Sequence, residues 1–175
     1  MGFDEERLNE YRNSLDAGIA RHGWVTQSAP QDNASGTPCF SYTIGLASKG
    51  LPELLIFGIP DRDSGDILKN IVDRMINKTL DPKPGTVVQT AAKFPVRLRA
   101  IERDAGDSFT LFAMDFADRN NAELNVLQVT YPDKNNVFPG EPGCDAQITF
   151  IQDILAMANR RPETHPNGDE YRTHF

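Results

Sequence analysis

The sequence predicts an α+β fold: a mixed or largely antiparallel sheet of about five or six strands packed against helices. Three observations carry that expectation. One strong helical stripe stands near the middle of the chain. Strand-like runs lie on both sides of it, and two of these are joined by a Gly50-Leu51-Pro52 turn short enough for an antiparallel hairpin.

Taken in order, Leu8, Tyr11, Leu15, Ile19 and His22 recur at helical spacing, which predicts an amphipathic helix with one buried stripe, stopped by Gly23. Trp24-Val25-Thr26 reads as a short strand, and the polar stretch from Ser28 to Thr37 as a loop. Phe40 to Leu46 and Leu54 to Ile59 are the hairpin strands and the expected centre of the sheet. The second is continuously apolar over Leu54-Leu55-Ile56-Phe57, as fits a strand covered on both faces. From Asp63 to Leu80, Ile67, Leu68, Ile71, Val72, Met75 and Ile76 form the cleanest helical stripe, behind an acidic first turn that complements the helix dipole. Pro82, Pro84 and Gly85 end it, and Val87 to Ala92 and Val96 to Glu102 follow as strands. Ser108 to Arg119 reads as a helix, although its aromatic content also tolerates a strand. Leu124 to Tyr131 is a strand, Pro132 to Gly143 a Pro- and Gly-rich loop, and Ile148 to Met157 a short closing helix. Residues 1–158 are thus expected to form a single domain, with 159–175 a polar, loosely ordered tail.

A chain of 175 residues, 39% hydrophobic and 25% charged, has the composition of one globular domain. Its net charge of −7 leaves no basic surface to displace counterions from phosphates, so no nucleic-acid partner is expected. Lys93, Arg97, Arg99 and Arg103 alternate with apolar residues, which reads as the solvated outer face of a strand. Cys39 and Cys144 stand in neither a disulfide nor a zinc-ligand spacing, and a reducing, cytoplasmic setting is expected. The start of the chain is acidic and no apolar run is long enough to span a bilayer, so neither export nor a membrane partner is expected.

No GxGxxG, phosphate-binding lysine loop, GxSxG elbow, HExxH or kinase motif occurs, so no nucleotide, flavin or zinc cofactor is indicated. Asp61, Asp63 and Asp66 open like a calcium loop, but Asp66 and Val72 occupy the positions where its Gly and Glu belong, so they read as helix-capping acids and no metal site is expected. The candidate residues lie elsewhere. His22 ends a helix, where its charged form is favoured, and Trp24 follows it; a helix-capping His and a core Trp would explain the same triplet. Tyr42 and Thr43 offer hydroxyl groups to a polar ligand, and Gly45 lets a ligand or another backbone come close, or marks a bulge. Tyr131, Asp133, Glu141, Cys144 and Asp145 share the constrained loop, where Asp133 and Glu141 form a candidate carboxylate pair for acid/base work or a hard cation. Cys144 with His22 would be the nucleophilic version, if the fold brought them together.

Four segments read together resemble a bacterial family of uncharacterised proteins, the domain-of-unknown-function family 4262. They are His22-Gly23-Trp24, the run from Pro38 to Leu46 (PCFSYTIGL), the run from Pro52 to Gly58 (PELLIFG), and Leu127-Gln128-Val129 with Tyr131-Pro132-Asp133 and Phe138 to Cys144 (FPGEPGC). The resemblance covers about residues 20 to 155 and departs from the family's pattern at Leu51, Gly140 and Asp153. It implies a fold neighbourhood rather than an activity.

The leading expectation is therefore a non-catalytic binding or interaction module for a small molecule or a protein. Its rival is a small, hydrolase-like enzyme using His22 with Glu141, Asp133 or Cys144 in a pocket near Tyr42. A third is a homodimer joined through an exposed aromatic patch.

Overall fold

The computed structural model describes residues 4–90, 92–153 and 155. Asp4 opens α1 (Glu5–His22) by accepting a hydrogen bond from the backbone N–H of Glu6, and Gly23 closes it in the left-handed conformation. The chain then runs through β1 (Val25–Ala29), β2 (Phe40–Ile44), one 3-10 turn (Ala47–Lys49) and β3 (Glu53–Phe57). There follow α2 (Asp61–Ile76), β4 (Val87–Gln89), β5 (Pro95–Ala100), α3 (Arg103–Asp107), α4 (Leu111–Arg119), β6 (Val126–Thr130) and α5 (Ala146–Gln152).

All six strands join one open mixed sheet in the order β1-β2-β3-β6-β5-β4, antiparallel throughout except for the parallel pair β3 and β6. The α+β architecture is as the sequence predicts. The hairpin forms through Gly50-Leu51-Pro52, but the centre of the sheet is β3 beside β6, with β2 one place out. Alternation assigns the two faces. Leu54 and Ile56 point to the side covered by Ile67, Leu68, Ile71 and Val72 of α2; Leu55 and Phe57 point to the side covered by Ile19 of α1 and Ala113, Phe116 and Ala117 of α4. Every residue of β3 is buried, which is why its sequence shows no alternation.

Several boundaries move. Ser28 and Ala29 belong to β1 rather than to the loop, α2 starts two residues earlier, and the segment from Ser108 to Arg119 is helical only over α4, after the separate short α3. The closing helix begins at Ala146, and its expected end at Met157 and the tail 159–175 lie outside the described residues. The stripe of α1 is only part-buried: among its residues Ile19 alone reaches the core, and Tyr11 and His22 are exposed. The basic face of β5 is not left to water either. Arg97 pairs with Glu141 at 2.7 Å over the Phe138 ring, and Arg99 pairs with Asp153 at 2.5 Å and donates to Gln128 Oε1 and the Gln152 carbonyl. The long loop and α5 fold back across that face.

Candidate functional site

One cleft carrying a chain of linked polar groups lies where β3 hands over to α2. Ser28 and Ser41 are register partners on β1 and β2, so both side chains point to the face that α2 covers. Their hydroxyls meet at 2.8 Å. The first turn of α2 brings Ser64, whose hydroxyl lies 2.7 Å from that of Ser41 and donates to the Asp61 carbonyl at 2.9 Å. Ser28 closes the chain by donating to Asp61 Oδ1 at 2.5 Å. Ser41 and Ser64 are buried while Asp61 is exposed, so the chain runs from the interior to the surface. It opens into a cleft of about 280 Å³ lined by Ser28, Ser41 and Asp61 with Cys39, Phe40 and Ile59.

Two things hold these groups in place. Gly58, at a φ of 74°, turns the chain from β3 toward α2, and its N–H donates to the Cys39 carbonyl at 2.7 Å. The Cys39 thiol donates to the Ile59 carbonyl at 3.6 Å, tying the start of β2 to the same turn. The cleft thus sits beyond the carboxyl end of β3, beside the antiparallel pair β1 and β2.

None of the candidate site residues His22, Trp24, Tyr42, Thr43, Tyr131, Asp133, Glu141, Cys144 and Asp145 lines this cleft. His22 and Trp24 line a separate cleft of about 440 Å³ with Lys69 and Asp73, beside the end of β1 that pairs Val25 with Ile44. The loop after β6 leaves from the opposite end of the sheet, since Gln128 is level with Leu55 and Thr130 therefore with Phe57. A five-residue strand spans about 16 Å. His22 is thus not brought to Glu141, Asp133 or Cys144, and the hydrolase-like constellation does not assemble.

The loop carboxylates also have other tasks. Asp133, buried at 6% exposure, accepts backbone N–H groups from Asn135, Val137 and Asp145. Those bonds, Val137 and Asp145 foremost, hold its pKa below the usual carboxylate value. Glu141 is held low first by Arg97 and then by the Phe138 N–H. The expected carboxylate pair is therefore two separate loop staples. Asp145 caps α5 through the Gln147 and Ile148 N–H groups, and the Cys144 thiol donates to the Val137 carbonyl.

Tyr42 is buried on the other face of the sheet beside Phe40, and burial raises its pKa. Tyr131 packs on Phe94, with its hydroxyl pKa pushed up to about 12, mainly by burial. Thr43 is buried against Glu53, a carboxylate that the sequence reading did not single out. Gly45 serves a close backbone approach: at a φ of 115°, a side-chain carbon there would lie 3.1 Å from the Gly23 carbonyl and Trp24 Cα, so it seats the α1 to β1 corner rather than a ligand.

Sequence reasoning missed Ser28, Ser41, Ser64 and Asp61 as a set. The polar run around Ser28 reads as a loop, and Asp61 reads as a capping acid. The available signal was weak: Ser41 alternates with Phe40 and Tyr42, and Ser64 breaks no helical pattern. Among the described residues, no three His, Cys, Asp or Glu side chains converge to hold a metal ion, and no helix is long and apolar enough to cross a membrane.

The sequence model of a family described as a domain of unknown function, DUF4262, matches residues 18–145. Those bounds contain the whole hydroxyl chain and the loop to Asp145, but not α5. No curated protein and no solved structure matches the chain.

Proposed function

The chain belongs to the DUF4262 family, and from that premise we propose that it is a small-molecule-binding domain whose ligand sits in the cleft between β1, the start of β2 and the start of α2. One observation carries the proposal. The Ser28, Ser41, Ser64 and Asp61 groups are fixed by their own hydrogen bonds and still open onto a cavity. Binding then costs little side-chain ordering, because the polar groups already stand in one geometry. At about 280 Å³ the cleft suits a metabolite-sized ligand, at or just below the lower end of ordinary ligand pockets. A reducing, cytosolic setting goes with this reading, since Cys39 and Cys144 are both free thiols.

The test is a thermal-shift screen of the full chain against small polar metabolites, run beside the S28A and D61N variants. A ligand of the native state must raise the melting temperature. The reading predicts hits on the parent chain that both variants lose. A panel with no hits, or hits that survive in both variants, overturns it.

A further inference from the structure

We infer that two copies of this chain join through the free edge of β1, antiparallel and related by a two-fold axis at Gln27. The edges of the sheet are β1 and β4, and they are finished differently. β4 is three residues long, and the Arg74 guanidinium donates to its Gln89 carbonyl at 3.0 Å. β1 runs for five residues in unbroken register with β2, without a bulge, a proline or a charged residue. Among the described residues, no backbone group outside β2 bonds to β1. The side-chain donor that reaches its backbone, Gln27 Nε2 to the Ser28 carbonyl at 3.2 Å, belongs to the strand itself. Unbroken, uncharged edges are the ones that add a further strand, and only an extended backbone matches their row of N–H and C=O groups.

The sequence of β1 selects a second copy as that strand. Val25-Thr26-Gln27-Ser28-Ala29 has nearly the same chemistry in either direction. Turned about Gln27, it sets Thr26 opposite Ser28, Val25 opposite Ala29, and Gln27 opposite itself. These are hydroxyl, small apolar and amide pairs with no like charges facing each other. Each side chain also stays on its own face of the joined sheet: Thr26 and Ser28 on the α2 side, Val25, Gln27 and Ala29 on the α1 side.

The flanks match as well. Trp24, half-buried in the cleft with His22, Lys69 and Asp73, comes level with the exposed Pro30 of the second copy. Pro30 lines the other cleft, with Ser28 and Asp61. The cleft holding Lys69, whose own pair with Asp73 is exposed to water, therefore stands beside the one holding Asp61 of the second copy, a cation beside an anion. Two-fold pairing also ends the assembly, because the same edge is spent on both copies. The joined sheet has β4 at both of its ends, and that edge is the guarded one. One pair of five-residue strands makes a small interface, so the dimer forms reversibly with concentration.

Sedimentation equilibrium of the full chain over about a hundredfold range of concentration tests this. The mass is expected to rise from 19.5 kDa to twice that value. Q27K sets two ammonium groups against each other at the axis and Q27E two carboxylates, so each variant alone is expected to dissociate at least about tenfold more readily. An equimolar mixture of the two is expected to restore the dimer, which misfolded chains could not do. V87K, on the β4 edge, is expected to leave the parent's mass unchanged. A chain that stays at 19.5 kDa throughout overturns the inference, and so does a dimer that Q27K and Q27E each leave intact. Should neither variant fold, hydrogen exchange in the parent decides. The amides of residues 25–29 slow with rising concentration where β1 is the seam, and keep one rate where it is not.

Discussion

Thr43 donates its hydroxyl hydrogen to the carboxylate of Glu53 at 2.6 Å, fully inside the protein at the foot of the β2 to β3 hairpin. The other carboxylate oxygen takes the N–H groups of Gly45 and Ala47 at 2.8 and 3.0 Å, so one acid closes the whole connection. Burial nevertheless outweighs these donors and pushes its pKa from the usual 4.5 to about 7. An acid with a raised folded-state pKa releases its proton more readily when unfolded. Stability from this group is therefore expected to fall as pH rises from 4.5 to about 7 and to stay level above that. Urea titrations at pH 5 and pH 8 check it, with E53Q expected to flatten that slope. E53A removes the acceptor of two backbone N–H groups and is expected to cost about 3 kcal/mol or more.

Gln152 acts as a plug between α5 and the sheet. Its side chain accepts the Tyr131 N–H at 2.9 Å and donates to the Tyr131 carbonyl at 2.9 Å, while its backbone carbonyl takes Gln128 Nε2 at 2.6 Å. Q152A leaves both backbone groups of Tyr131 buried and unmatched, an expected loss of about 2–4 kcal/mol. Hydrogen exchange should show faster exchange at the Tyr131 amide; an unchanged rate would contradict the plug.

Gly58 admits no side chain. With φ at 74°, a β-carbon would stand 2.4 Å from Ile151 Cγ2 and 2.7 Å from the Tyr131 hydroxyl oxygen. Backbone strain and overpacking together make G58A an expected loss of about 3 kcal/mol. Adding I151A is expected to recover the part due to Ile151 and to leave the backbone strain and the Tyr131 contact, which a double-mutant cycle measures.

Asp133 gives the opposite pH signature to Glu53. Its folded-state pKa is depressed, so the stability it contributes is present above the unfolded value of about 3.8 and is lost as pH falls through the folded value. D133N keeps one acceptor oxygen but offers N–H where the Asp145 N–H needs an acceptor. The expected result is earlier acid unfolding of the parent than of a chain without this dependence, and a D133N chain less stable at pH 7 but flatter in acid.

The order of elements was largely legible because helix and strand periods are properties of neighbouring residues. The stripe from Ile67 to Met75 and the unbroken apolar run of β3 each announce how they will be covered, whatever lies opposite. The candidate site was not legible in the same way. Asp133, Glu141 and Cys144 looked chemically available because their residue types are, yet whether a carboxylate is free depends on which amides the folded loop turns toward it.

What the sequence determined by itself was the α+β class, the identity of the main helix and strands, and the family resemblance, all carried by patterns a few residues long. What the tertiary structure alone decided was which distant groups meet. Ser28 and Asp61 are 33 residues apart and touch only because antiparallel register turns Ser28 and Ser41 to one face and the turn at Gly58 sets α2 down upon it. His22 and the loop carboxylates are kept apart by the same register, because a strand fixes its two ends a full strand length from each other.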